Sequence, residues 1–374
     1  MVVEKRSFML KYLISTGHFT ESHHFGKCFL HPFSTCDMDS TDTRYQQLLD
    51  WLRTDLGRPV ESIAPASSDA SFRRYFRIHS EGQSHIVMDA PPPKENVRPF
   101  VAVAELLREA GVRTPEVHAV DTDRGFVLLG DFGNRNYLDE LDEDTAESLY
   151  GDAMASLLVL QQGVTVASVD LPSYDERLLR TELGIFREWF LERWLGLALS
   201  AEESATIDQA WAALVGSALE QPRVCVHRDY HSRNLMVTDE ANPGVLDFQD
   251  AVVGPITYDL ASLLRDCYIA WPMDRVYAWM ESYQKSLLAT KLLEESDVER
   301  FRRWFDLMGM QRHLKAVGIF SRLNIRDGKP GYLKDIPRTL GYVTEVGRNY
   351  PELAGFMRFL DHRVMPRLSG EALS

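Results

Sequence analysis

The residues with the most evident chemistry lie between Val224 and Asp250. The chain reads Val-Cys-Val-His-Arg-Asp-Tyr-His-Ser-Arg-Asn-Leu-Met-Val over 224–237, then Val245-Leu246-Asp247-Phe248-Gln249-Asp250. Two short apolar runs, 224–226 and 235–237, bracket a polar loop, and a third, 245–246, ends in an aspartate. Read as strands, they bring Asp229, Asn234 and Asp247 together where strands end. Two carboxylates and one neutral amide oxygen suit a hard divalent cation beside a phosphoryl group. Negative charge belongs next to the cation at Asp247, the neutral Asn234 limits the total charge, and Asp229 can take the proton of a hydroxyl within hydrogen-bond reach. The plain alternative is a polar loop between strands.

The spacing His227-x-Asp229-x-x-x-x-Asn234 resembles the catalytic loop of kinase-like phosphotransferases, and Asp247 stands where that superfamily keeps its second metal ligand. Gly254-Pro255-Ile256-Thr257-Tyr258-Asp259-Leu260-Ala261 follows, as in the aminoglycoside phosphotransferase-like branch. The resemblance implies an α+β, two-lobed protein-kinase-like fold with an antiparallel-sheet N-lobe and a mainly helical C-lobe, using ATP and Mg²⁺. It makes Asp229 the catalytic base, Asn234 and Asp247 the metal ligands, and His227 and Asp259 supports of the catalytic loop.

A narrower resemblance rests on several segments together. They are Ser68-Asp69-Ala70-Ser71-Phe72-Arg73-Arg74-Tyr75-Phe76-Arg77, Met88-Asp89-Ala90-Pro91-Pro92-Pro93, residues 226–236, Ser262-Leu263-Leu264-Arg265-Asp266-Cys267-Tyr268 and Gln311-Arg312-His313-Leu314-Lys315. From about residue 42 to the C-terminus the chain is similar to bacterial cell-wall sugar kinases, which phosphorylate N-acetylmuramate and N-acetylglucosamine at the anomeric hydroxyl. That implies an ATP-dependent kinase of peptidoglycan recycling with a small amino-sugar substrate. Phosphotransferases of the same fold acting on an aminoglycoside, choline or homoserine are the alternative. A nucleotide-binding pseudokinase is another, and the intact Asp229, Asn234 and Asp247 argue against it.

Composition narrows the rest. A chain of 374 residues, 45% hydrophobic, can bury a sizeable core. A formal charge of −14 argues against a nucleic-acid surface, which calls for clustered Lys and Arg. Four cysteines, Cys28, Cys36, Cys225 and Cys267, form no C-x-x-C pair, so a reducing cytoplasm is expected. No apolar run approaches the roughly 20 residues that cross a bilayer, and no membrane partner is expected. Oligomeric state has no signature.

Residues 1–40 read as a disordered or dispensable extension, with Met38 as an alternative start ahead of an amphipathic helix carrying Tyr45, Leu48, Leu49 and Leu52. His18, His23, His24, Cys28 and Cys36 fit no standard zinc spacing. The nucleotide-binding N-lobe is expected over 41–133. Strands begin near Ile63, with a turn-rich 67–71, a strand through Phe72, Phe76 and Ile78, and a second over 85–88. No Gly-rich loop exists, so Ser68, Asp69 and Ser71 or their backbone amides must meet the phosphates. Asp89 stands where a phosphate-pairing Lys or Arg is expected. Arg74 is the candidate substitute, with Arg73 and Arg77 beside it and Lys94 after the prolines; a solvated strand face explains them equally well. A helix over 100–110 offers Glu105 and Glu109. Strand 126–129 leads into Gly130-Asp131-Phe132-Gly133, a hinge whose backbone at Leu129 and Asp131 is expected to meet adenine. Asp131-Phe132-Gly133 spells a kinase metal motif, but it precedes the catalytic loop and is a decoy.

The C-lobe is expected over 134–374. A helix over 145–160 lies under the catalytic loop, and Ser200 opens another with a capping box to Glu203. Residues 182–191 mix aromatics with carboxylates, which fits a core helix or a sugar site with Glu182 on the hydroxyls. His231, Arg265 and Arg312 are further substrate candidates; a muramate carboxylate could pair with either arginine.

Overall fold

A computed structural model describes residues 42–68 and 72–368. The N-terminal readings, including Met38 and the His and Cys residues before it, fall outside the described residues, as do Asp69 and Ser71; Ser68 is described in its backbone alone. The chain divides into two units between Gln47 and Leu48, a boundary that falls within the first helix. In the first, Asp42 accepts from the backbone N–H groups of Arg44 and Tyr45 at 3.1 and 3.0 Å and so caps helix α1 (Thr43–Asp50). All else belongs to the second unit.

That unit opens with an antiparallel sheet of β1 (Ser62–Ser68), β2 (Arg74–Ser80), β3 (Gln83–Asp89), β4 (Val117–Asp121) and β5 (Phe126–Gly130), in the order β1-β2-β3-β5-β4. Phe126, Val127, Leu128 and Leu129 are all buried, as befits a strand with a neighbour on each side. Helix α2 (Val97–Glu109) starts at Asn96, whose side chain accepts from Arg98 N, and its Phe100 ring meets Phe248 at 4.9 Å. Phe72 is not part of the strand alternation. It is 56% exposed, and the Lys94 ammonium lies over its ring at 4.3 Å, a cation–π contact made outside the sheet.

Beyond Gly130 the chain is mainly helical: α3 (Tyr137–Glu140), α4 (Ala146–Gly163), α5 (Glu176–Ile185), α6 (Ala201–Leu219), α7 (Tyr258–Leu264), α8 (Met273–Ala289), α9 (Val298–Asp327), α10 (Ile336–Gly347), α11 (Ala354–Phe359) and α12 (Met365–Leu368). Ser200 and Glu203 form the expected capping box of α6. Between α4 and α7 lie the short pairs β6 (Arg223–Val226) with β9 (Val252–Pro255) and β7 (Leu235–Met236) with β8 (Gly244–Val245). The residues expected to mix aromatics with carboxylates divide. α5 gives way to a π-helical stretch at Phe186–Trp194, where wider turns bury Phe186, Phe190 and Leu191 together. Phe186 and Phe190 belong to the core, while Trp189 is half-buried beneath the Arg193 guanidinium.

Helix α9 crosses that stretch with no side chain between them. A Cβ on Gly318 would stand 2.6 Å from Phe186 N and 2.7 Å from Ile185 C, both backbone atoms that cannot swing aside. Gly318→Ala should therefore destabilise the protein by about 1–3 kcal/mol through overpacking. Urea denaturation of both proteins checks this, and an unchanged midpoint would contradict it.

Candidate active site

The loop between β6 and β7 is held from below by buried acids. Asp259, at the start of α7, accepts from His227 N at 2.6 Å and Arg228 N at 2.9 Å. Asp266 accepts from Ser232 N at 2.9 Å and from its hydroxyl, fixing the turn that presents Asn234. Tyr230 donates to Ala153 O of α4, the helix expected beneath the loop. Each bond satisfies a backbone or hydroxyl group that burial would otherwise strand. Burial drives the Asp259 carboxyl up to about 7 against its two N–H donors, and drives His227 down to about 4, keeping that imidazole neutral.

Asp229, Asn234 and Asp247 come together as expected. Asn234 Nδ2 donates to Asp229 O at 3.0 Å and reaches Asp247 Oδ2 at 3.4 Å, across the β7–β8 pair. Gln249 Nε2 donates to Asp247 Oδ1 at 2.7 Å, while its own Oε1 is buried with no partner. Arg228 and Asp247 both sit in the left-handed region, at φ 79° and 61°. Such backbone costs about 1–3 kcal/mol per residue and collects at functional sites.

Around Asp229 lies a cluster of cations. Glu182 of α5 is buried and accepts from Arg228 NH2 at 2.5 Å, from the Tyr174 hydroxyl and from Gln311 Nε2 at 3.2 Å, with Lys315 Nζ 3.0 Å away. Burial pushes the Glu182 carboxyl up, but Lys315 and Arg228 overcome it and hold it at about 2. Burial also works against ionised Asp229, yet Lys315, His231, Arg228 and Arg312 hold that carboxyl down at about 2. It is a carboxylate at any physiological pH. His231 packs edge-on against Tyr268, and burial lowers its pKa.

Two expected substrate residues part here. Arg312, on α9, reaches Arg228 O at 3.4 Å and lies over the Tyr258 ring at 5.1 Å, beside the loop. Arg265 is fully buried, ion-paired to Asp306 and set over the Phe305 ring at 4.4 Å. Its place is in the core, with a fixed counter-ion.

On the nucleotide side Arg73, just ahead of β2, and Arg74 and Arg77 within it each take a different acid. Arg74 donates through Nε and NH2 to Asp89 Oδ2 at 2.9 and 2.6 Å, so Asp89 serves as its counter-ion across the β2–β3 register. Arg77 grips Asp131 with Nε and NH2 at 2.5 and 2.9 Å, and reaches Asn134 and Gly133 O. The Asp131 side chain is thereby committed, and Gly130 N donates to Glu116 O at 2.8 Å. Leu129 lies within the sheet, in register with Ile86 and Val117. Arg73 pairs with Glu95 at 3.2 Å, and the other Glu95 oxygen accepts from Phe72 N at 3.3 Å. Asp247 is among the charges that raise the Arg73 pKa against burial. Glu105 and Glu109 are exposed.

Glu95 and Tyr174 carry no local marker in the sequence, while Gln249 and Lys315 lie in its chemical segments but gain a role only from the fold. The signal for Lys315 was present: Gln311 and Lys315 are four apart on a helix, hence on one face. Nothing local marks Glu95, which follows a proline run and acts only through the fold.

The comparisons agree with this geometry. The model of the phosphotransferase enzyme family matches residues 62–304. The chain is 49% identical over 327 residues to a Pseudomonas putida protein named N-acetylmuramate/N-acetylglucosamine kinase, covering 85% of this chain and 96% of that one. A Neisseria meningitidis protein of the same name is 42% identical over 316 residues, 83% and 93% of the two chains. Among solved structures, ADP-bound aminoglycoside phosphotransferase APH(2'')-Ib superposes with a TM-score of 0.56 at 15% identity, over 80% of this chain and 98% of that one. Choline kinase LicA from Streptococcus pneumoniae gives 0.55 at 12% identity, over 81% and 100%. At such identities the structures speak to the fold alone, and it is the expected two-lobed one. From the family match and the relatives together, the chain belongs to the phosphotransferase enzyme family.

Proposed function

We propose that this protein transfers the γ-phosphoryl group of ATP to the anomeric hydroxyl of N-acetylmuramate or N-acetylglucosamine, as a cytoplasmic enzyme of peptidoglycan recycling. The observation that carries the reading is the joining of Asp229, Asn234 and Asp247 in one bonded group, on a chain whose relatives bear that kinase name. Buried, free Cys225 and Cys267 fit a reducing compartment, and no helix among the described residues is long and apolar enough to cross a membrane.

In this reading Asp229 orients the sugar hydroxyl and takes its proton as the oxygen attacks phosphorus. Its depressed pKa keeps it unprotonated and able to accept. Asp247 and the side-chain oxygen of Asn234 would hold Mg²⁺, for which hard oxygen donors and the orphaned Gln249 oxygen beside them are a chemical fit. When bound, the ion would neutralise charge on the phosphates. Glu182 is a positioning residue: it fixes Arg228, the neighbour of Asp229, against α9. Arg73, held by Glu95 and felt at Asp247, takes the phosphate-pairing role left open at Asp89, in preference to Arg74 and Arg77. Lobe limits at 41–133 and 134–374 are part of the same proposal, with Asp131 at the hinge.

Three outcomes test it. Asp229→Asn should lower kcat for both sugars by about 10²–10⁴-fold in a coupled ADP assay; unchanged turnover removes the base. Arg73→Gln should raise KM for ATP by about tenfold or more, the loss of one charged hydrogen bond, with KM for sugar little affected; the opposite split would take Arg73 off the phosphates. Glu182→Gln should cost about 3–5 kcal/mol in chemical denaturation, because two buried cations lose their shared carboxylate. With its folded pKa near 2 against 4.5 unfolded, Glu182 contributes full stability above pH 4.5 and loses it as pH falls towards 2. The gap between wild type and Glu182→Gln should therefore narrow over that window, and a constant gap would contradict the linkage.

A further inference from the structure

Arg312 differs from the other cations of the cluster. Arg228 and Lys315 share Glu182, and Arg265 has Asp306, whereas Arg312 makes no ion pair among the described residues. Its Nε is buried with no hydrogen-bond partner, and the rest of the guanidinium meets the Arg228 carbonyl and Tyr258, through that residue's ring face and hydroxyl. Arg312 is half-buried and feels the charge of Asp229 without pairing to it, so its buried Nε stays unbonded, and a ligand acceptor would satisfy it.

Its position narrows the ligand. The carbonyl it touches belongs to the peptide joining Arg228 to Asp229, so the guanidinium lies beside the catalytic loop, close enough to act on the Asp229 carboxylate. Asn234 and Gln249 each bond to Asp247 and not to Arg312, whose neighbour Tyr258 is shared with Lys315. Buried acceptor Gln311 Oε1 and buried His231 Nδ1 are also unpartnered, as expected where a polar ring would complete them. N-acetylmuramate differs from N-acetylglucosamine by a lactyl ether at O3, and that group ends in a carboxylate.

Resting on the kinase reading above, we infer that Arg312 binds the lactyl carboxylate of N-acetylmuramate and makes the muramate sugar the preferred acceptor. Planar, with paired N–H donors, a guanidinium matches a carboxylate bidentately. A neutral sugar leaves it unsatisfied, so the site discriminates against the analogue lacking the acid.

The test compares kcat/KM for N-acetylmuramate, its lactyl methyl ester and N-acetylglucosamine, in wild type, Arg312→Gln and Arg312→Lys. Wild type should prefer the acid to both neutral sugars, Arg312→Gln should lower the acid-to-ester ratio at least tenfold, and Arg312→Lys should restore part of it. A wild type that treats acid and ester alike overturns the inference without any variant. Equal losses on all three sugars also overturn it, and give Arg312 to the phosphate or to Asp229. Should wild type phosphorylate none of the three, the kinase reading itself fails, which is a distinguishable result.

Discussion

A single buried carboxylate, Glu182, holds the catalytic side of this molecule together. It reaches the loop through Arg228, α9 through Lys315 and Gln311, and the segment before α5 through Tyr174. Two cations on one acid leave the neighbourhood positive, and that surplus is what keeps Asp229 ionised despite its partial burial. Position and charge thus come from the same contact. The close backbone crossing at Gly318 serves the same end, since it sets the height at which α9 delivers its side chains.

The nucleotide side is built on another principle. Where a lysine on β3 is expected, the chain has Asp89, and the cations have moved to β2. Helix α2 contributes no exposed acid to the site; it presents Glu95 just ahead of its cap and packs Phe100 on Phe248, the neighbour of Asp247. The helix acts by placement.

Much of this was legible in the residues. The order His227, Asp229, Asn234, Asp247, Asp259 predicted a convergence that the strand pairs produce, and the capping box at Ser200 predicted a helix start to the residue. Strand β4 was not legible, because four of its five residues are half-buried and show no clean alternation. The role of Arg265 was misjudged because charge alone does not reveal a counter-ion 41 residues away in sequence. Helical spacing reported that Gln311 and Lys315 share a face, but which carboxylate that face would meet depends on the crossing of α9 with α5. Long-range pairing of this kind has no local signature.

The arginines of β2 and the one preceding it have one more implication, for anyone redesigning the sheet. Arg73, Arg74 and Arg77 each neutralise a shielded acid drawn from a different stretch of chain, namely Glu95, Asp89 and Asp131. Mutating one partner alone maroons the other's charge in a poorly solvated place, whereas exchanging both for matched apolar groups can be nearly neutral. Sequence drift along this strand is therefore constrained to travel in couples.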